Sequence, residues 1–140
     1  ASDVYKRQAV SAPLHVVFDG SCGFCTRAVG WVRVLDRHGR IELHASQCPG
    51  VLERFGLTPE QADSSVWAVR DETTSGAHAV AVVLDTALGT RLVERVYRLP
   101  LVGRALEAAY RWVAERRHLF PGVTPWCEAH PGQCGSAGRA

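Results

Sequence analysis

Residues 14–25 read LHVVFDGSCGFC, and they place two cysteines three positions apart where a short apolar run changes into a helical pattern. The run Leu14–Phe18 has the length and apolar character of a buried strand, and apolar residues then recur at helical spacing. This pattern predicts that Cys22 begins a helix and that Cys25 lies one turn further along it. Unpaired backbone N–H groups and the helix dipole favour a thiolate at such a position. The two thiols should be within disulfide reach and able to exchange with other disulfides.

The composition favours one domain with a modest core. The chain has 140 residues, of which 46% are hydrophobic and 21% charged, with a formal net charge of +2. So small a charge does not indicate nucleic-acid binding, and we expect no binding to a membrane surface. No apolar run reaches the roughly 20 residues that span a bilayer, and the N-terminus lacks the apolar core of a signal peptide. We therefore expect a soluble, cytoplasmic protein.

The pattern after the first helix predicts alternating strands and helices. Residues 40–45 alternate in polarity and should form a second strand, parallel to the first because a helix intervenes. A short helix at 51–55 should precede another that begins with Thr58 as N-cap and proline at the first helical position. Residues 65–70 are predicted as a third strand. The turn-like segment that follows leaves little room for a fourth strand before a predicted helix at 77–88.

The C-terminal third has a helical pattern that ends in a tail of different composition. Residues 90–119 should form two helices separated by Pro100. The domain organisation that we predict has three parts. Residues 1–12 form a disordered or artefactual leader, residues 13–122 form the domain, and residues 123–140 form an irregular tail rich in cysteine, proline and glycine.

Several segments together resemble one known family. The run Phe18–Cys25 resembles the signature of the DCC family of thiol-disulfide oxidoreductases, named for its Asp, Cys and Cys. Residues 110–117, ahead of Phe120-Pro121-Gly122, are similar to that family's C-terminal helix. The positions that match are Tyr110, Ala114 and Arg117, together with a central pair formed by Gly76 and Ala79. The resemblance implies an α/β fold with a thioredoxin-like βαβ core, a small central sheet and additional C-terminal helices, and it implies disulfide oxidoreductase activity.

The candidate catalytic residues are the two cysteines and the aspartate before them. We expect Cys22 to be the attacking nucleophile and Cys25 to resolve the mixed disulfide, since the first cysteine at a helix start is more exposed and more acidified. The alternative is a pair of unreactive buried cysteines. Asp19 either orients the dithiol or accepts a proton from it, or it only forms the Asp-Gly turn.

The expected substrate contacts flank the dithiol. Thioredoxin-like enzymes usually carry a cis-proline just before the third strand, and here Ser64 and Ser65 occupy that place. We therefore expect Gly23, Phe24 and these two serines to bind the substrate. The partner should be a disulfide-bearing protein or a low-molecular-weight thiol. No glycine-rich nucleotide loop is present, so no organic cofactor is expected and electrons should pass through the thiols.

Two other classes of function remain open. The first is a structural zinc site, in which Cys22 and Cys25 combine with the tail residues Cys127, His130 and Cys134. The second is a catalytically silent interaction module, because seven arginines against three glutamates across residues 89–120 could bind an acidic partner.

The remaining cysteine and the other histidines show no functional pattern. Cys48 lies before a proline in a loop, where it is a third redox thiol or an incidental cysteine. The other histidines form no spaced cluster and are expected to be structural or exposed: His15, His38, His44, His78 and His118.

Overall fold

The apolar run Leu14–Phe18 forms β1, an inner strand of a four-stranded sheet. The computed structural model describes residues 13–120 and 122–130, so the predicted leader at 1–12 and the end of the predicted tail lie outside the described residues. Strand β2 (Ile41–Ala45) pairs in parallel with β1, with Leu14 opposite Ile41 and Phe18 opposite Ala45. The predicted parallel βαβ unit is therefore confirmed.

A hairpin extends the sheet on the other side of β1. Strand β3 (Trp67–Val69) runs antiparallel to β1, and β4 (Thr73–Ser75) runs antiparallel to β3, so that the sheet order is β2-β1-β3-β4. The prediction of little room for a fourth strand was wrong. The hairpin loop is only three residues long and is closed by a hydrogen bond from the Arg70 N–H to the Glu72 carbonyl. This tight turn leaves Thr73–Ser75 free to pair.

Helices occupy most of the remaining chain. They are α1 (Gly23–Leu35), α2 (Val51–Phe55), α3 (Pro59–Ser64), α4 (Gly76–Leu88), α5 (Leu92–Tyr97), α6 (Val102–Glu115), a 3-10 turn (Arg117–Leu119) and α7 (Trp126–Ala129). The helix expected at 77–88, the two helices around Pro100 and the cap at Thr58 are confirmed, the last by a full capping box with Gln61. Residues 126–129 are helical, so this part of the tail is not irregular.

Helices cover both faces of the sheet. On one face Leu14 and Val16 pack with Ala79 and Val83 of α4 and contact α1 through Val32. On the other face Val17 packs with Val51 and Leu57, at and near α2 and α3. Successive side chains of a strand point to opposite sides of the sheet. Strand β1 is therefore apolar at consecutive positions because both of its faces are buried.

A group of half-buried hydrogen bonds joins the C-terminal helices to α4 and to the start of β3. The Glu107 carboxylate on α6 accepts hydrogen bonds from the N–H groups of Ala77 and His78 in the first turn of α4, and from the Tyr97 hydroxyl. The Tyr110 hydroxyl accepts the N–H of Val66, just before β3, at 2.8 Å. Glutamate at a helix N-terminus satisfies N–H groups that have no partner within the helix.

The architecture is mixed α/β with a four-stranded sheet and several helices, consistent with the thioredoxin-like core that the family resemblance implied. Among the described residues, no helix is long and apolar enough to cross a membrane.

Glu107→Ala should lower the free energy of unfolding by about 1–3 kcal/mol, because it leaves N–H groups of α4 and the Tyr97 hydroxyl without their acceptor. The measurement is urea denaturation followed by circular dichroism. Glu115→Ala is the control, since this side chain is 64% exposed and pairs with its neighbour Arg116 at 3.8 Å. Equal stability of the two variants would contradict the role given to Glu107.

Candidate dithiol active site

Cys22 caps the N-terminus of α1. Its backbone is extended, and its sulfur accepts a hydrogen bond from the Cys25 N–H, with the sulfur 3.2 Å from the nitrogen. Its carbonyl accepts the N–H and the hydroxyl of Thr26. The prediction that Cys22 begins the helix is confirmed, with Cys22 as its N-cap residue.

Cys25 lies one turn into α1, where burial disfavours the charged form of its thiol. Burial raises the pKa of the Cys25 thiol to about 12, with further contributions from the hydrogen bond and the charge of Cys22. The positive charge of Arg117 lowers this pKa, and the negative charge of Asp19 raises it. At neutral pH the Cys25 side chain is therefore a protonated thiol.

Arg117 is the cation of this site. It begins the 3-10 turn after α6, and its Nη1 lies 3.7 Å from the Cys25 sulfur while its Nη2 lies 3.0 Å from Asp19 Oδ2. Burial by itself would lower the pKa of the Arg117 guanidinium, but the negative charges of Cys25 and Asp19 outweigh it and raise that pKa. The family resemblance marked position 117, but only the fold shows that its side chain reaches the dithiol.

Asp19 ties the loop before the dithiol to its surroundings. Its Oδ1 accepts hydrogen bonds from the Ser21 N–H at 2.9 Å and from Gln47 Nε2 at 2.8 Å. Because Oδ2 pairs with Arg117, both carboxylate oxygens are engaged, and the side chain is only 12% exposed. Asp19 thus forms the expected turn and also holds the cation that faces Cys25.

Gln47 was not found by sequence reasoning. It follows β2, and its Oε1 accepts the Gly20 N–H at 2.9 Å while its Nε2 donates to Asp19. Nothing in the sequence marks a loop glutamine as part of a site 25 residues upstream. Only the parallel pairing of β1 and β2 brings the ends of these two strands together.

The segment 122–127 packs directly on the residues around the two cysteines, 19–25, which we call the dithiol loop. The Val123 N–H donates to the Gly23 carbonyl, and the Cys127 N–H donates to the Gly20 carbonyl at 2.9 Å. The Trp126 N–H donates to the hydroxyl of Thr26 at 3.0 Å. Backbone contacts this close require glycine, since a Cβ on Gly23 would lie 2.5 Å from the Val123 carbonyl oxygen. The segment beyond α6 is therefore part of the site.

The four residues that we expect to contact the substrate have different surroundings. Gly23 faces the backbone of Val123, and the Phe24 ring lies against Phe120 with centroids 5.3 Å apart. Ser64 is exposed at the end of α3, and the Ser65 hydroxyl accepts the N–H of Gly76. Within residues 13–120 and 122–130, no hydrogen bond joins either serine to the two cysteines.

Within the described residues, neither Cys48 nor Cys127 joins the dithiol in a cluster that could hold a metal ion. Cys48 is free, and burial raises its pKa, as expected for a thiol packed against apolar neighbours. Cys127 is disulfide-bonded, so its sulfur is not a free thiolate ligand for zinc. Cys134, the fourth ligand of the zinc alternative, lies outside the described residues. His130 stacks on Trp126 with ring centroids 4.2 Å apart.

Gly23→Ala should destabilise the fold by about 1–3 kcal/mol, because the added methyl group meets backbone atoms that cannot move independently. Gly30→Ala, in the same helix, is the control. Nothing lies within 4 Å of its added Cβ, so this change should be neutral or stabilising by about 0.5–1 kcal/mol. Thermal denaturation of both variants checks the contrast. Similar behaviour of the two would show that residues 122–127 do not pack on the loop as described.

Comparison with known proteins agrees with the geometry of this site. No curated protein matches the chain, and neither does any solved structure. A family model described as DCC1-like thiol-disulfide oxidoreductase matches residues 16–123. This range covers most of the chain and includes Asp19, both cysteines of the dithiol and Arg117. The chain therefore belongs to the DCC1-like thiol-disulfide oxidoreductase family.

Proposed function

We propose that this protein is an enzyme that exchanges disulfides with a protein or a low-molecular-weight thiol through Cys22 and Cys25. The observation that carries the proposal is the position of Cys22 at the N-cap of α1, where its sulfur accepts the Cys25 N–H. An inert pair of buried cysteines would need neither this contact nor the facing cation of Arg117. The family assignment supports the same chemistry.

The reduced protein would act in two exchange steps. The Cys22 thiolate attacks one sulfur of the substrate disulfide, forming a mixed disulfide and releasing the other substrate sulfur as a thiolate that takes up a proton. Cys25 then loses its proton and attacks the Cys22 sulfur. This step releases the second substrate thiol and leaves a Cys22–Cys25 disulfide. The substrate gains two electrons, the protein loses two, and the reverse sequence oxidises a dithiol substrate.

Arg117 assists the second step. Forming a thiolate at Cys25 is costly because burial raises its pKa to about 12, and a guanidinium 3.7 Å from the sulfur offsets part of that cost. Asp19 opposes thiolate formation by its own charge but holds Arg117 at 3.0 Å. In this proposal, Asp19 is a positioning residue.

The substrate would approach the surface formed by the dithiol loop and the segment before β3. The exposed Ser64 and the half-buried Gly23, Phe24 and Ser65 are its proposed contacts. Electrons pass only through the thiols, so the proposal requires no organic cofactor.

Cys22→Ser should abolish exchange, and Cys25→Ser should trap a mixed disulfide, because the proposed resolving cysteine is then missing. The measurement is turnover of a fluorescent glutathione disulfide, with mass spectrometry of the trapped adduct. Cys48→Ala is the control and should keep full activity. Full activity of Cys22→Ser would overturn the proposal. If the dithiol of the wild-type protein is inert and the protein binds acidic proteins in a salt-sensitive way, the interaction module is favoured instead.

Arg117→Gln should prolong the lifetime of the mixed disulfide. Each unit by which the pKa of Cys25 rises lowers its thiolate fraction about tenfold at neutral pH. Quenched-flow trapping with glutathione measures the resolution rate, and Arg117→Lys should restore part of it. Arg116→Gln is the matched control, because Arg116 lies over the Trp112 ring and pairs with the adjacent Glu115. Equal resolution rates in the two glutamine variants would show that Arg117 does not assist the second exchange step.

A further inference from the structure

Two histidines and a glutamate that are separate in the sequence meet on one face of the sheet. His15 lies on β1 directly opposite Glu42 of β2, and His44 lies two residues further along β2. Positions 42 and 44 project to the same side of the sheet because side chains alternate along a strand. The expectation that the histidines form no cluster holds for their spacing in the sequence but not for the fold.

The potential ligand atoms of these side chains converge. His15 Nδ1 lies 3.0 Å from His44 Nε2 and 3.0 Å from Glu42 Oε2, and His44 Nε2 lies 3.9 Å from the same oxygen. With metal–nitrogen bonds of about 2.0–2.1 Å, two nitrogens at this separation subtend an angle of about 90° at a shared ion. All the ligand atoms lie within 4.8 Å of one another, so small rotamer adjustments would complete the geometry.

The hydrogen bonds within this group depend on the tautomers of the two histidines. A neutral His15 carries one N–H, and if that proton is on Nδ1 it cannot bond linearly to both His44 and Glu42. If the proton is on Nε2, the Nδ1 lone pair faces the carboxylate oxygen. A cation placed between the three atoms would accept a lone pair from each of them.

The surroundings favour an ion that enters from solvent. Both histidine side chains are 18% exposed and Glu42 is 52% exposed. The Phe55 ring packs on both imidazoles, with centroids 5.3 and 5.2 Å away, and so restricts their orientation. The Arg54 guanidinium, which lies 5.0 Å from the centroid of the Phe55 ring, is a positive charge that opposes a cation here.

We propose that His15, Glu42 and His44 form a binding site for a divalent transition-metal ion of the zinc, cobalt or nickel class. Two imidazoles and one carboxylate are a ligand set that such ions prefer, with water completing the coordination. The ion would join β1 to β2 by coordinate bonds and thereby stabilise the pairing on which the dithiol loop depends. This site uses none of the proposed catalytic residues.

The test is a Co²⁺ titration monitored by visible absorption. It is done in a Cys22→Ser/Cys25→Ser background, because thiolates would otherwise compete for the metal. We expect one bound ion per chain with ligand-field bands and no sulfur charge-transfer band. His44→Ala should weaken binding by at least about tenfold. Glu42→Gln, at an exposed position where the fold should tolerate the change, should weaken it in the same direction.

His38→Ala is the matched control, since this histidine is exposed in the loop after α1, and it should bind Co²⁺ as the background does. Zn²⁺ should raise the melting temperature of the background protein and of His38→Ala, but less in His44→Ala. Absence of stoichiometric uptake, or the same affinity in His44→Ala and Glu42→Gln as in the control, would overturn the proposal. Because the dithiol is removed throughout, neither result bears on disulfide exchange.

Discussion

The parallel pairing of β1 with β2 is the interaction on which both sites depend. Two parallel neighbours require a crossover between them, and α1 is that crossover, so the strand end and the helix start meet at the dithiol. The same pairing places Gln47, just after β2, against the loop after β1. At the opposite end of these strands it aligns His15 with Glu42. The register of β1 against β2 thus determines which residues surround the cysteines and which side chains meet on the face of the sheet.

The dithiol itself lies in a small network of balanced charges. Burial disfavours a thiolate at Cys25, Arg117 favours it, and Asp19 holds the arginine while adding an opposing charge. These groups are partly shielded from water. Charges interact more strongly in such surroundings than at an exposed surface. In the proposed mechanism, small changes in the placement of Arg117 would therefore change the rate of the second exchange step. The segment 122–127 packs on the residues around the dithiol through hydrogen bonds to the carbonyls of Gly20 and Gly23.

Sequence patterns predicted the regular elements well where a local signal was strong. The N-cap at Thr58, the break at Pro100 and the helix that begins at Cys22 each rest on residues that act within a few positions. The fourth strand was missed because a three-residue hairpin carries little pattern of its own, and its pairing with β3 supplies the stability. Residues 126–129 are helical where an irregular tail was expected, and their contacts with the dithiol loop come from distant parts of the chain.

The sequence by itself determined the βαβ start of the fold, the dithiol at the helix N-terminus and the family, since these follow from local periodicity and from a motif of adjacent residues. The tertiary structure alone decided which side chains complete the site. Arg117 reaches Cys25 across 92 positions, and His15 meets His44 across 29. Such contacts depend on strand register and helix packing, which arise from the burial of the whole core and leave no periodic signal in any one segment.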